Sequence, residues 1–133
     1  MRGALLLATC LVAAACAGSH AQATGSTAAA ATSLQITVQP KGPGGPTLHA
    51  TLRCGPPGGT HPHPAAACAA LARVAHPFAP KPAGVMCSTI FSGPQRAHVT
   101  GTYRGARIDA RFRRSDSCET KRWTQVQVVL KLS

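Results

Sequence analysis

The sequence predicts an α+β domain of five strands and two helices, with the helices covering one face of a two-faced sheet. Three observations point there. Apolar and polar residues alternate with period two in five separate stretches, one stretch between proline-rich borders switches to helical spacing, and four cysteines sit in or beside these elements. A small chain of 133 residues must bury the apolar sheet face, and the helical stripes are the available cover.

The N-terminal part reads as a targeting segment. Met1-Arg2, the apolar run 4–17 and the small-x-small patterns Ser19-His20-Ala21 and Ala21-Gln22-Ala23 make residues 1–23 a signal peptide. The alternative is a lipoprotein signal ending before Cys16, since Val12-Ala13-Ala14-Ala15-Cys16 is an imperfect lipobox. Cys16 would then carry the lipid and hold the protein at the outer face of the cell membrane. Either way the protein is expected outside the cytoplasm. Residues 24–32, TGSTAAAAT, have no apolar periodicity and are expected to be a flexible tail before a domain at 33–133.

Leu34, Ile36 and Val38 alternate with Gln35, Thr37 and Gln39 as a first strand, and "PKGPGGP" (40–46) is a turn. Leu48, Ala50 and Leu52 alternate with polar neighbours in a second strand that ends at Cys54. "GPPGGTHPHP" then excludes regular structure. From Ala65 to His76, Cys68, Leu71, Ala72 and Ala75 fall on one helical stripe, and Pro77, Pro80 and Pro82 end it. Val99 and Tyr103 mark a third strand, Arg104-Gly105 a tight turn, and Ile108, Ala110 and Phe112 a fourth strand with Arg107, Asp109, Arg111 and Arg113 on its other face. Asp116 is placed to N-cap a short helix through Trp123. Val126, Val128, Leu130 and Leu132 alternate as a fifth strand.

Cys54, Cys68, Cys87 and Cys118, an even set in an exported chain, read as two disulfides. Three pairings exist, and locality favours Cys54–Cys68 with Cys87–Cys118. Zinc is the rival reading, disfavoured because no Cys-x-x-Cys pair occurs; His61-Pro62-His63 lacks a visible third ligand and reads as a turn. No cofactor is implied.

The stretch "VMCSTIFSGPQ" (85–95) stands apart. Ser88, Thr89, Ile90 and Phe91 favour extended backbone, and Gly93-Pro94 break it. By residue type alone it reads as an edge strand beside a disulfide, or as an apolar segment held exposed by its cysteine. Here the chain resembles the Streptomyces subtilisin inhibitor family. "LRCGPPGGTHPHPAAACAALA" is similar to that family's cysteine, Pro/Gly loop and helix-opening cysteine, "VMCSTIFSGPQ" to its reactive-site loop, and "SDSCETKRW" to its last helix. The resemblance spans about residues 33–124. It implies an exported, non-enzymatic inhibitor of subtilisin-like serine proteases, with a five-stranded antiparallel sheet, two helices on one face and the two disulfides above. It also implies a reactive-site loop at Met86, Cys87, Ser88, Thr89, Ile90 and Phe91, with the scissile bond Thr89–Ile90. Asp116 stands where the family commonly carries an Asn that braces the loop. Thr89 is short and uncharged, which fits a subtilisin-like or elastase-like pocket and not a trypsin-like one.

Charge supplies a second reading. Fourteen Lys and Arg face three acids, a net +11, and residues 1–23 contribute only Arg2 to it. Arg104, Arg107, Arg111, Arg113, Arg114, Lys121 and Arg122 crowd into one region. A non-inhibitory basic module bound to anionic cell-wall polymer or nucleic acid is therefore the alternative. Base recognition is disfavoured by the few aromatics and their lack of a stacking pattern. The same charges weaken homodimerisation through the open sheet face, which family members often use. So few acids and no Gly-x-Ser-x-Gly elbow argue against an enzyme.

Overall fold

Alternation becomes pairing in strands β1 (Thr32–Gln39) and β2 (Leu48–Cys54), joined through the glycine-rich turn, and in β3 (Arg96–Tyr103) and β4 (Ala106–Arg113). Helix α1 (Pro64–Ala72) lies between the two hairpins in sequence, and α2 (Ser117–Leu130) follows β4. The computed structural model describes residues 31–133; the signal peptide, Cys16 and residues 24–30 of the expected tail lie outside the described residues.

All pairings are antiparallel, in the order β2-β1-β3-β4. Ala50, Ile36, Val99 and Ala110 pair in one row across the four strands, and Leu48, Val38, Ala97 and Phe112 in the next. These rows form the inner face. α1 packs beside β2, α2 beside β4, and the helices touch each other. Leu71 from α1 and Val126, Val129 and Leu130 from α2 are buried against the sheet. Each fully buried large side chain of this set contributes about 1.5–3 kcal/mol relative to exposure. Phe78 in the linker after α1 fills the remaining edge, with its ring 5.1 Å from Tyr103 and 6.4 Å from Phe112, both edge-to-face.

Four strands form, not five. Residues 126–130, expected as the last strand, continue α2 to Leu130. The apolar residues there satisfy both periods, and the burial shows which one prevails. Val126, Val129 and Leu130, spaced i, i+3 and i+4, are buried, whereas Val128 is 39% exposed. Packing on the sheet and on α1 outweighs the weak helix preference of consecutive valines.

The first helix is also displaced from its expected span of 65–76. It starts at Pro64, whose fixed φ suits a first turn, and ends at Ala72. Its buried positions are Ala67 and Leu71, an i, i+4 pair; Cys68 is half-buried and Ala72 and Ala75 are exposed. Both disulfides link helix to neighbour. Cys54 at the end of β2 is joined to Cys68 in α1, and Cys87 is joined to Cys118 in α2, with Cα separations of 5.7 and 5.5 Å.

The β3–β4 turn has positive φ at both central residues, 47° at Arg104 and 80° at Gly105, which is the type I′ twist that suits a two-residue hairpin. His61 is structural. Its ring is buried, Nδ1 accepts from the His63 N–H (3.0 Å), and Nε2 donates to the Val129 carbonyl (3.0 Å). That carbonyl is among the last four of α2, which have no partner within the helix. The Pro/Gly loop is thus pinned to the end of α2 through one side chain.

Candidate functional site

Between Val85 and Phe91 the chain forms neither helix nor ladder and carries its apolar side chains into solvent. Met86 is 98% exposed, Ile90 67% and Phe91 65%. An edge strand would pair with the sheet; this segment does not. It is held by its ends. The Cys87–Cys118 disulfide fixes one side, and Ser88 next to it makes a two-way contact with Ser117. The Ser88 N–H donates to Ser117 Oγ (3.0 Å), and the Ser88 carbonyl accepts from the Ser117 N–H (3.1 Å). On the far side, the Ser92 N–H donates to the Arg114 carbonyl (2.8 Å).

Both clamps stand on one short segment, residues 114–118, which links β4 to α2. Thr89, Ile90 and Phe91 span the gap, and no backbone hydrogen bond of theirs to a described residue is formed. Among the described residues nothing occupies their N–H and C=O groups. Glycine and proline then close the loop. The turn 40–46 abuts it, because Gly42, at φ 80°, comes so near Pro94 that an added Cβ would lie 2.8 Å from the Pro94 carbonyl oxygen. Arg114 adds a longer side-chain bond to Gln95 Oε1 (3.4 Å).

Asp116 was expected as loop support. Its carboxylate accepts from the Glu119 N–H (2.9 Å) and from Ser115 Oγ (3.3 Å), so it caps α2. The backbone bond from Glu119 is the main reason its pKa lies below the ordinary 3.8, with the positive charge of Lys81 and the Ser115 bond acting in the same direction and burial against it. The hydrogen bonds made directly to the loop come from Ser117 and Arg114, which residue type alone did not single out. Ser117 was nonetheless legible: if Cys87 is bridged to Cys118, the flanking Ser88 and Ser117 must also be close.

Cys87, Asp116 and Cys118 cluster within ligand distance of one another, but both sulfurs are consumed in the disulfide and offer no thiolate to a metal. Beside the loop lies an open groove of about 500 Å³, bounded by Ile90 and Ser92 on one side and Ser117, Lys121 and Thr124 on the other.

The crowded basic residues have different surroundings, with Lys121 at the groove beside the loop. Arg122 is internal: it stacks 4.8 Å from the Phe112 ring, donates to the Ala79 and Arg111 carbonyls (2.9 and 3.1 Å), and pairs with Glu119 at 2.7 Å. Arg114 bonds Gln95, and Arg104 lies over Tyr103 at 5.2 Å. Arg107, Arg111 and Arg113 remain on the outer sheet face.

A sequence model of the family described as subtilisin inhibitor-like matches residues 28–117. Subtilisin inhibitor-like protein 1 of Streptomyces cacaoi is 39% identical over 79 residues, which cover 56% of this chain and 71% of that protein. Among solved structures, Streptomyces caespitosus sermetstatin, crystallised in complex with Bacillus licheniformis subtilisin, is similar at 23% identity and a TM-score of 0.43. That alignment covers 77% of this chain and 97% of sermetstatin. Among the described residues, no helix is long and apolar enough to cross a membrane.

Proposed function

The chain belongs to the subtilisin inhibitor-like family, and from that membership we infer that it inhibits subtilisin-like serine proteases by offering residues 86–91 as a substrate-like strand. The scissile bond of this reading is Thr89–Ile90, with Thr89 entering the primary pocket, Ser88 and Met86 occupying upstream subsites and Ile90 and Phe91 lying beyond the bond. The protein is a binding partner of the enzyme and not itself an enzyme. Export, by loss of residues 1–23, belongs to the same reading, and an intact mass of native material starting near residue 22 or 24 checks it.

One observation carries the reading: an exposed, uncharged three-residue span, unpaired among the described residues, is fixed at both ends to the same short segment. A protease binds its substrate extended and draws the scissile carbonyl into an oxyanion hole. An ordinary peptide loses rotational freedom on binding and its halves diffuse away after cleavage. A span already ordered loses less, so more of the contact energy appears as affinity. After a cut, the Thr89 end is still held by Cys87 and Ser88, and the Ile90 end by Ser92. The new amine therefore stays beside the acyl carbon and the peptide bond can re-form.

Titrating subtilisin with the purified protein tests this. Activity should fall linearly to a one-to-one end point, with little change between low and high salt. A protein that never slows the enzyme, or one that it digests at the rate of an ordinary substrate, contradicts the reading.

A further inference from the structure

The outer face of the sheet presents guanidinium groups with almost nothing to neutralise them. Arg53, Arg96, Arg107, Arg111 and Arg113 all stand on it, exposed. Arg96 and Arg113 are directly opposed across β3 and β4, and so are His98 and Arg111. Like charges in opposed positions destabilise a sheet. The one acid on this face, Asp109, is engaged by His98 Nε2 at 2.7 Å. Among the described residues, none of the five arginines forms an ion pair.

Hydroxyls and amides, Gln35, Thr37, Gln39, Thr100 and Thr102, lie between the arginines, beside the imidazoles of His49 and His98. Among the described residues the face holds no Phe, Tyr or Trp as a platform for stacked bases, and its two imidazoles are engaged within the face, His49 with Thr37 (3.2 Å) and His98 with Asp109. Along β4 the outward positions recur about every 6.8 Å, and neighbouring strands lie about 4.8 Å apart, so the guanidinium groups stand in rows on one surface, each able to take two phosphate oxygens. A shallow depression of about 200 Å³, bounded by Thr37, Gln39, Arg96, His98, Arg111 and Arg113, lies within it.

We propose that this face binds a linear polyol-phosphate polymer, with a phosphodiester in each repeat and no base. Guanidinium groups take the phosphate oxygens, the hydroxyls and amides meet the polyol, and the bound anion relieves the Arg96–Arg113 repulsion. The site lies on the solvent side of the sheet. Its Arg96–Arg113 end adjoins the loop, where both arginines line one depression with Phe91. Arg53 and Arg107 stand at the opposite end of the strands, so a polymer held at that end would localise the protein without occupying the loop. It does not depend on the loop being inhibitory. A second copy is a poor occupant, because self-pairing would bring the same arginines together with only Asp109 to offset them.

The test measures binding of the full exported protein to poly(glycerol phosphate) against salt, for the wild type and two double variants. Arg107→Gln with Arg111→Gln removes two face cations; Arg73→Gln with Lys131→Gln removes two exposed cations from the helical side. The face variant should weaken binding by roughly tenfold and flatten the log–log salt slope by about 1.4, or about 0.7 for each phosphate no longer neutralised. The helical-side variant should change neither beyond about twofold. Unchanged thermal unfolding of the face variant shows that its fold is intact. Equal losses in both variants would overturn the proposal, as diffuse attraction would then suffice. Single-stranded DNA binding as tightly as the polymer would overturn it in favour of nucleic acid. A dimer that the polymer fails to dissociate would overturn it in favour of self-association.

Discussion

At the scale of single residues, Thr89 sets what the proposed loop can engage. Its side chain is exposed, uncharged and β-branched, so it fills little of an apolar pocket and offers nothing to an acidic pocket base. Thr89→Leu should strengthen subtilisin inhibition by about 1–3 kcal/mol through fuller pocket filling. Thr89→Lys should create trypsin inhibition. Inhibition constants for both variants against both enzymes check this; values unchanged from wild type would remove residue 89 from the primary pocket. Asp116 makes a different kind of prediction. Its folded pKa is depressed chiefly by the Glu119 N–H, so its contribution to stability is present above the ordinary value of 3.8 and is lost as pH falls through the lower folded value. Unfolding midpoints followed from pH 6 to pH 2 should drop more steeply for the wild type than for Asp116→Asn, which stays neutral. Parallel curves would contradict the capping role.

At the scale of elements, the first four strands and the start of the last helix were legible, and that helix's second half was not. Leu34/Ile36/Val38 and Ile108/Ala110/Phe112 each have polar partners at every other position, so only period two fits them. Residues 126–132 lack that discrimination, because an apolar set at 126, 128, 129 and 130 fits a strand or a helix. Tertiary packing, which no local pattern contains, decided in favour of α2. Adjacent substitutions expose the difference. Val128→Lys should alter stability by no more than about 0.5 kcal/mol, as an exposed position allows. Val129→Lys, at a buried site against the sheet, should cost more than about 3 kcal/mol or prevent folding, since it places an unpaired charge in the core. Denaturant unfolding of the pair measures both. Equal tolerance would contradict the helical register.

For the whole molecule, the arrangement works as a frame for one short exposed span. The sheet and helices bury the core, Cys54–Cys68 ties α1 to β2, and His61 ties the Pro/Gly loop to the end of α2. α2 in turn brings Cys118 and Ser117 to the loop, while the end of β4 brings Arg114. Residue type left the candidate span open between an edge strand and an exposed segment, and the resemblance of its cysteine, extended residues and Gly-Pro to the family's loop pointed to the exposed one. Sequence did not disclose that both ends rest on residues 114–118, since Ser92 meets Arg114 only through the turn out of β4. Nor did it separate the internal Arg122 from the outward Arg107 and Arg111, because their roles depend on which arginine reaches Phe112 and Ala79.

The most direct test of the loop's proposed role is to incubate the protein with a catalytic amount of subtilisin and map the first bond cut. The account predicts a single nick after Thr89, a new N-terminus reading Ile90-Phe91-Ser92, and two fragments that stay joined through Cys87–Cys118 until reduced, with inhibition retained by the nicked protein. A first cut elsewhere, or a nicked protein that no longer inhibits, would contradict it.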